Sequence, residues 1–193
     1  MRNIAIFASG SGTNAENIIK YFSNKETGKV SLILSNKHDA FVLKRAAMHN
    51  IKSVFFDRND FYNSERVIGY LKSDNIDFIV LAGFLWLVPD NILSLYSRRV
   101  INIHPALLPL YGGEGMYGEK VHKAVISNHD KESGITIHYV NNQYDAGDII
   151  FQARCSVDEH DTPESLAAKV HALEYEYFPL VIENLLKNMP EKS

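Results

Sequence analysis

Short, continuous apolar runs alternate with amphipathic segments over the first hundred residues of the chain. In the amphipathic segments, apolar residues recur at the three- and four-residue spacing of one helix face, and the apolar runs are as short as buried strands. Such an alternation is typical of a parallel sheet that is covered by helices on both faces. The predicted strands are 4–8, 30–34, 53–56, 78–82 and 100–103, and the predicted helices are 14–22, 40–49, 61–72 and 89–96.

The second half of the chain has a different pattern. Its first predicted elements are a glycine-rich loop at 107–118 and a helix at 121–127. Two neighbouring strands follow, at 135–140 and 149–157, and a turn at 141–148 joins them. Thr162 is predicted to cap a long helix that runs to about residue 187, because threonine followed by proline is a common helix start. We therefore predict an α/β fold. Its doubly wound, mostly parallel, Rossmann-like sheet has helices on both faces and an antiparallel C-terminal part, in a single domain.

Composition and charge bear on the class of function. The chain has 193 residues, of which 46% are hydrophobic, enough for one domain with a full core. The net charge of −3, without a basic cluster, argues against a nucleic-acid partner. No apolar run approaches the ~20 residues that cross a bilayer, and we expect no signal peptide. The single cysteine, Cys155, cannot form an internal disulfide, which fits the cytoplasm, although a secreted protein without disulfides would look the same.

A glycine loop follows the first predicted strand, with the sequence SGSGTN at 9–14. Glycines allow close approach of a ligand, and the free N–H groups of the following helix favour an anion, so Gly12, Thr13 and Asn14 are candidate phosphate ligands. The loop could instead be a tight turn with Thr13 or Asn14 as N-cap. A loose dinucleotide fingerprint is also present, but the second strand ends without the acid that would hold a ribose.

Asn102 and His104 alternate with apolar residues at the end of the fifth predicted strand, where ligands gather in open parallel sheets. A histidine there can move protons, and an asparagine amide can stabilise an oxyanion. Neither is a strong covalent nucleophile, so the pair suggests direct attack through a tetrahedral intermediate. Asp145, in a predicted turn, could raise the pKa of His104, orient it or hold a water. Asp145 could equally cap its own turn, and His104 could be a strand-end histidine with satisfied partners.

Five runs of residues together resemble the family of formyltransferases that use 10-formyltetrahydrofolate. They are SGSGTN at 9–14, LAGF at 81–84, INIHPALLP at 101–109, GITIH at 134–138 and DAG at 145–147. They occur in the family's order and cover nearly the whole chain, and the Asn-x-His-Pro-x-Leu-Leu-Pro run is highly specific. Within the family, the glycine loop is similar to that of the members whose substrate is phosphoribosylglycinamide.

The resemblance implies a role for each candidate residue. Asn102 and His104 would act on the formyl group, and Asp145 would tune His104 and order a water in the proton path. The glycine loop would hold the phosphate of phosphoribosylglycinamide, and Glu174 in the long helix would bind the ribose or glycinamide end. The formyl donor would be 10-formyltetrahydrofolate, with no metal, and the expected assembly is a monomer or homodimer. Residues 1–100 would form a phosphate-binding half and 101–188 a catalytic and folate-binding half, before a frayed tail at 189–193.

The resemblance also implies a folate pocket, with some departures from the family pattern. Its expected residues are Asn102 again, with Arg58, Leu85, Trp86, Leu87, Val88, Val140 and Asn141. The departures are Leu110 where a lysine is common, Trp86 where a basic residue is common, and a longer glycine-rich stretch at 112–118.

Other functions remain as alternatives. A formyltetrahydrofolate hydrolase or another formyltransferase would share the same core, although the tRNA-dependent and regulatory relatives carry further domains. A nucleotide-binding oxidoreductase would need the missing acid, and a silent folate- or phosphate-binding module would not need Asn102, His104 and Asp145 together. The histidines 38, 49, 122, 129 and 160 are expected mostly at the surface, and His138 either supports the active-site strand or is structural.

Overall fold

The structure, a computed structural model, describes residues 1–190 and contains one seven-stranded sheet. The strands are β1 (Arg2–Phe7), β2 (Gly28–Ser35), β3 (Lys52–Phe55), β4 (Phe78–Leu81), β5 (Val100–His104), β6 (Glu132–Tyr139) and β7 (Ile149–Ser156). The helices are α1 (Thr13–Phe22), α2 (Phe41–Met48), α3 (Arg58–Tyr62), α4 (Arg66–Ser73), α5 (Asp90–Leu95), α6 (Glu119–Ser127) and α7 (Pro163–Lys187). Most of the tail predicted to fray, 191–193, lies outside the described residues.

The sheet has the order β3-β2-β1-β4-β5-β6-β7, and its first five strands are parallel. The last two pairings, β5 with β6 and β6 with β7, are antiparallel. The prediction of a doubly wound, mostly parallel sheet with an antiparallel C-terminal part is therefore confirmed. No helix of residues 1–190 is both long and apolar enough to cross a membrane.

Two apolar cores, one on each face of the sheet, explain why the strands read as continuous hydrophobic runs. In β1, Ile4 and Ile6 point into the core that contains α1 and α7, whereas Ala5 and Phe7 point into the core that contains α4. Alternate residues of a strand face opposite sides of its sheet, so a strand buried on both faces needs an apolar residue at every position.

One predicted detail of the helices is wrong, one alternative is excluded, and one prediction is confirmed. The single helix predicted at 61–72 is two helices, because Asp57 caps α3 with a capping box and the Ser64 hydroxyl accepts from the Arg66 N–H at the start of α4. The N-cap of α1 is Gly12, with φ of 74°, so neither Thr13 nor Asn14 caps it. Thr162 caps α7 as predicted, accepting from the Ser165 N–H.

The carboxyl ends of β1, β4 and β5 lie together, since neighbouring parallel strands point the same way. The antiparallel strand β6 adds side chains to this edge from the opposite direction. Its register places His138 opposite Asn102 and Thr136 opposite His104. The fold thus brings residues from the two halves of the chain to one edge of the sheet.

Candidate active site

A cavity of about 750 Å³ opens at this edge of the sheet. One end is formed by the glycine loop before α1, the middle by the end of β5, and the remaining walls by the loop before α6, the turn before β7 and the first half of α7. Seven of the predicted catalytic and substrate residues line this single cavity: Gly12, Thr13, Asn14, Asn102, His104, Asp145 and Glu174.

Asp145 brings the predicted catalytic residues into contact. Its Oδ2 lies 3.4 Å from His104 Nδ1, and its Oδ1 accepts a long hydrogen bond of 3.4 Å from Asn102 Nδ2. The Gly113 N–H also donates to Oδ2, at 3.0 Å. Burial alone would raise the pKa of Asp145, but His138, His104 and the Gly113 N–H outweigh it and hold that pKa below its usual value. Asp145 is therefore a carboxylate at neutral pH.

His104 is buried, with 3% of its surface exposed, and both ring nitrogens have neighbours. Nε2 lies 2.7 Å from the Tyr111 carbonyl, which can only accept, so Nε2 carries a proton. Burial lowers the pKa of His104 below its ordinary value, although the Asp145 carboxylate and the Tyr111 carbonyl act in the opposite direction. Asp145 thus raises the pKa as expected, but desolvation has the larger effect, so the pKa of His104 lies below its ordinary value.

His138 orients the amide of Asn102. Its Nδ1 lies 2.8 Å from the Tyr139 carbonyl, which can only accept, and its Nε2 lies 3.1 Å from Asn102 Nδ2 and 3.6 Å from Asp145 Oδ1. His138 is 2% exposed and lies behind the reaction centre. Of the two interpretations that the sequence left open, this geometry favours support of the active-site strand.

The glycine loop is held open by its neighbours. The Ser9 hydroxyl donates to Asn36 Oδ1 at 2.7 Å and accepts from the Leu85 N–H at 3.1 Å. Gly12 has no room for a side chain, because an added Cβ would overlap Val42 of α2. No side chain caps α1, so its first N–H groups remain available for an anion in the cavity. Asn36 stands where a dinucleotide-binding protein would need an acid, and it is already used by Ser9.

Glu174 lies beside this loop. Its carboxylate is 4% exposed, and Oε2 accepts from Asn14 Nδ2 at 2.9 Å and from His171 Nδ1 at 2.7 Å. The hydrogen bond to Glu174 raises the pKa of His171, so this half-exposed ring favours the protonated state. Glu174 and His171 lie three residues apart on α7 and both line the cavity.

The predicted folate residues lie in different places. Arg58, Leu85 and Trp86 line the main cavity with Asn102, and the Arg58 guanidinium lies 5.2 Å from the Trp86 ring centre. Val140 and Asn141 line a second cavity of about 430 Å³ next to Arg98. Two residues line neither cavity. Val88 is 5% exposed and belongs to the core that contains α4, and the Leu87 carbonyl accepts a hydrogen bond from the Tyr62 hydroxyl.

Sequence reasoning did not place two cavity residues, His122 and His171, or the contact between His104 and the Tyr111 carbonyl. His122, expected at the surface, is 2% exposed in the cavity wall, so that expectation is wrong. It follows the buried Val121 in α6, and the helix packs against α7, which covers the ring. The pairing of His171 with Glu174 could have been read from their three-residue spacing. The contact between His104 and the Tyr111 carbonyl had no sequence signal, since it depends on a loop backbone with φ of 56° at Tyr111.

The remaining histidines and possible metal ligands are placed as follows. His38, His129 and His160 are exposed, as expected, and His49 is half-buried next to Glu16. Within residues 1–190, no group of three or more histidine, cysteine, aspartate or glutamate side chains is arranged to hold a metal ion.

Comparisons with known proteins show the family of this chain. Residues 2–182 match the protein family described as formyl transferase. The chain is 35% identical to the phosphoribosylglycinamide formyltransferase of Bacillus subtilis (strain 168), with all of both chains covered. It is 36% identical to the protein of that name from Escherichia coli (strain K12), over 93% of this chain and 85% of the other.

The fold agrees with the same relatives. The crystal structure of phosphoribosylglycinamide formyltransferase from Bacillus halodurans superposes with a TM-score of 0.86 at 38% identity, covering 97% of this chain and 96% of that chain. The structure of the same enzyme from Anaplasma phagocytophilum gives a TM-score of 0.88 at 30% identity, over 97% and 87% of the two chains. Since the family match spans residues 2–182, almost the whole described chain, this chain belongs to the formyl transferase family.

Proposed function

We propose that this chain transfers the formyl group of 10-formyltetrahydrofolate to the amine of phosphoribosylglycinamide, a step of purine biosynthesis. The observation that carries the proposal is one cavity with a reaction centre of Asn102, His104 and Asp145 and an anion-binding helix N-terminus. The relatives that are 35–36% identical over nearly the full chain carry the name of this activity. The anion-binding helix N-terminus at one end of the cavity and the reaction centre further along it suit an acceptor that carries a phosphate at one end and an amine at the other.

The proposed reaction begins with direct attack of the unprotonated amine on the formyl carbon, which forms a tetrahedral intermediate. The Asn102 amide and the His104 Nε2–H would donate to the oxyanion. Asn102 would exchange its long bond to Asp145 for this contact, since a bond of 3.4 Å is weak. The Tyr111 carbonyl would have to move away from Nε2 first.

Proton transfer completes the proposed reaction. The amine loses a proton as the new C–N bond forms, and the folate nitrogen gains one as its bond to the formyl carbon breaks. Asp145 is ionised and lies beside both Asn102 and His104, so it can hold the water that carries this proton. The formyl group passes directly from one substrate to the other without a covalent bond to the protein, in agreement with a reaction centre that has no strong nucleophile.

Binding of the two substrates would use the rest of the cavity. The N–H groups of Gly12, Thr13 and Asn14 would hold the phosphate, and the His171 ring, whose pKa is raised by its hydrogen bond to Glu174, lines the same cavity. Glu174 would accept from the ribose hydroxyls. Arg58 and Trp86 would contact the folate, whose glutamate carboxylates suit a guanidinium at the cavity wall.

The arrangement of the chain extends the proposal. We place phosphate binding in residues 1–100 and catalysis with folate binding in residues 101–188 of a single domain. Three parts are exceptions: Glu174 binds the acceptor from the second half, and Arg58 and the 85–88 segment bind folate from the first half. The lone cysteine fits a cytoplasmic enzyme. The contacts of the pterin ring with Leu85, Leu87, Val88, Val140 and Asn141 remain part of the proposal.

The test is an absorbance assay of folate deformylation with and without the acceptor. Release of deformylated folate that requires phosphoribosylglycinamide supports the proposal. Release without the acceptor indicates a formyltetrahydrofolate hydrolase, and no release under either condition contradicts both. Trp86 is the only tryptophan of the chain and lines the cavity, so quenching of its fluorescence reports folate binding separately from turnover.

A further inference from the structure

His122 is a buried cavity residue that the proposed mechanism does not use. It lies on α6 with 2% of its surface exposed, yet its ring forms part of the wall of the main cavity. Its Nδ1 is shielded from solvent and has no hydrogen-bond partner. Buried polar atoms usually have a hydrogen-bond partner, so this unpaired nitrogen bears on which ring nitrogen carries the proton.

The unpaired nitrogen indicates where the proton of the ring lies. A proton on Nδ1 would leave a buried N–H without an acceptor, which is rarer in proteins than an unpaired buried acceptor. Burial, and secondarily the neighbouring His171, lower the pKa of His122, so the ring is neutral at neutral pH. A neutral ring with an unprotonated Nδ1 carries its proton on Nε2. The nitrogen left for the cavity is therefore a neutral donor.

The neighbours of His122 place it between the two ends of the cavity. It interacts electrostatically with His171 and Glu174 of α7, beside the glycine loop, and with His104 at the end of β5, and all of these residues line the main cavity. Glu164 of α7 also lines the cavity, and Glu119 of α6 pairs with Lys123. His122 is thus close to the part of a substrate that joins the reacting amine to the ribose.

We propose that His122 Nε2–H donates a hydrogen bond to the glycinamide carbonyl of the acceptor and so holds the amine against the formyl carbon. This inference rests on the proposed function, because that carbonyl is the hydrogen-bond acceptor in the linkage between amine and ribose. A neutral donor suits a neutral carbonyl. His122 would then distinguish phosphoribosylglycinamide from phosphorylated sugars without a glycinamide group.

The experiment compares binding of phosphoribosylglycinamide with binding of ribose 5-phosphate, which has the phosphate and sugar alone. His122→Leu removes the donor, His122→Gln keeps one near the position of Nε2, and His122→Asn places its amide near Nδ1. We expect the His122→Leu and His122→Asn variants to bind phosphoribosylglycinamide about tenfold more weakly than the wild type, which corresponds to the loss of one good hydrogen bond. All three variants should bind ribose 5-phosphate as tightly as the wild type does. The His122→Gln variant should bind phosphoribosylglycinamide with an affinity within about threefold of that of the wild type.

Several outcomes would overturn the inference. They are unchanged binding of phosphoribosylglycinamide by the Leu variant, an equal loss for both ligands, or a Gln variant no better than Leu. Thermal unfolding of each variant shows whether a loss is due to folding, and we expect Leu to be as stable as the wild type because it removes an unpaired buried nitrogen. If the wild type itself fails to bind phosphoribosylglycinamide, the proposed function fails; if it binds and the Leu variant matches it, only this inference fails.

Discussion

The carboxylate of Asp145 and the imidazole of His104 meet at 3.4 Å, and the same short loop holds both of them. The Gly113 N–H donates to Asp145 at 3.0 Å, and the Tyr111 carbonyl accepts from His104 at 2.7 Å. The catalytic pair is therefore coupled to the glycine-rich loop before α6. In the proposed mechanism, His104 reaches the formyl oxygen only after Tyr111 withdraws, which makes movement of this loop part of each turnover.

Replacement of His104 by alanine should lower kcat by about 10²–10⁴-fold, the usual contribution of a general acid–base group. Circular dichroism should show an intact fold, since the core residues of β5 are unchanged. His160→Ala is the matched control, because that histidine is exposed and does not line the cavity. Near wild-type turnover in the His104 variant would remove it from the proposed mechanism.

Asp145→Asn should lower kcat by about 10²-fold or more while leaving both KM values within a few-fold. Asp145 has φ of 52°, a region that asparagine tolerates well, so the turn should keep its shape and only the charge is lost. Steady-state kinetics measure both constants. Asp148→Asn, at an exposed carboxylate that pairs with Arg98, is the control and should behave as wild type. A change in KM alone would count against a role for Asp145 in proton transfer.

Glu174→Ala should raise the KM for phosphoribosylglycinamide about tenfold or more, because hydrogen bonds to a charged group are among the stronger ones. The KM for 10-formyltetrahydrofolate should stay unchanged. Initial rates at varied concentrations of each substrate separate the two. Glu176→Ala, at an exposed position of the same helix, serves as the comparison. An unchanged KM for the acceptor would place Glu174 outside the substrate site.

Gly12→Ala should destabilise the fold by roughly 2 kcal/mol or more, through overlap with Val42 and a strained positive φ. It should also weaken inhibition by ribose 5-phosphate, since the helix N-terminus would shift. Gly10→Ala is the control for stability, because nothing lies within 4 Å of an added Cβ there and its φ is not positive. Urea unfolding of both variants measures the difference, and equal stabilities would contradict the packing argument.

The free energy of unfolding should fall as the pH drops below about 6.5, the pKa of an unfolded histidine. Burial lowers the folded pKa of His104 and His122, so the unfolded chain binds protons first. Their contribution is fully present above pH 6.5 and is lost as the pH falls towards the folded values, by up to about 1.4 kcal/mol per pH unit for each group. His171, whose pKa is raised, acts in the opposite sense.

Urea unfolding at pH 7.5 and pH 5.5 tests this dependence. His122→Leu should reduce the loss of stability between the two pH values, since it removes one of the two buried neutral rings. His129→Gln, at an exposed histidine, should leave it unchanged. The same pH dependence in all three proteins would show that the buried histidines do not cause it.

The fold was predictable because its signals are local. Uninterrupted apolar runs predict strands buried on both faces, and Thr162 before Pro163 predicts the start of α7, which begins there. The break between α3 and α4 was missed, because the Ser64 hydroxyl competes with backbone hydrogen bonds in a segment whose apolar spacing still suits one helix.

The sequence by itself determined which residues could carry the chemistry, since Asn102, His104 and Asp145 are chemically capable wherever they lie. Only the tertiary structure decided that they meet. The antiparallel register of β6 on β5 sets His138 opposite Asn102, and the turn that follows β6 then delivers Asp145 to the end of β5. The burial of His122 was decided in the same way, by packing of α6 on α7. Contacts between distant segments depend on strand register and helix packing, which no local pattern of residues encodes.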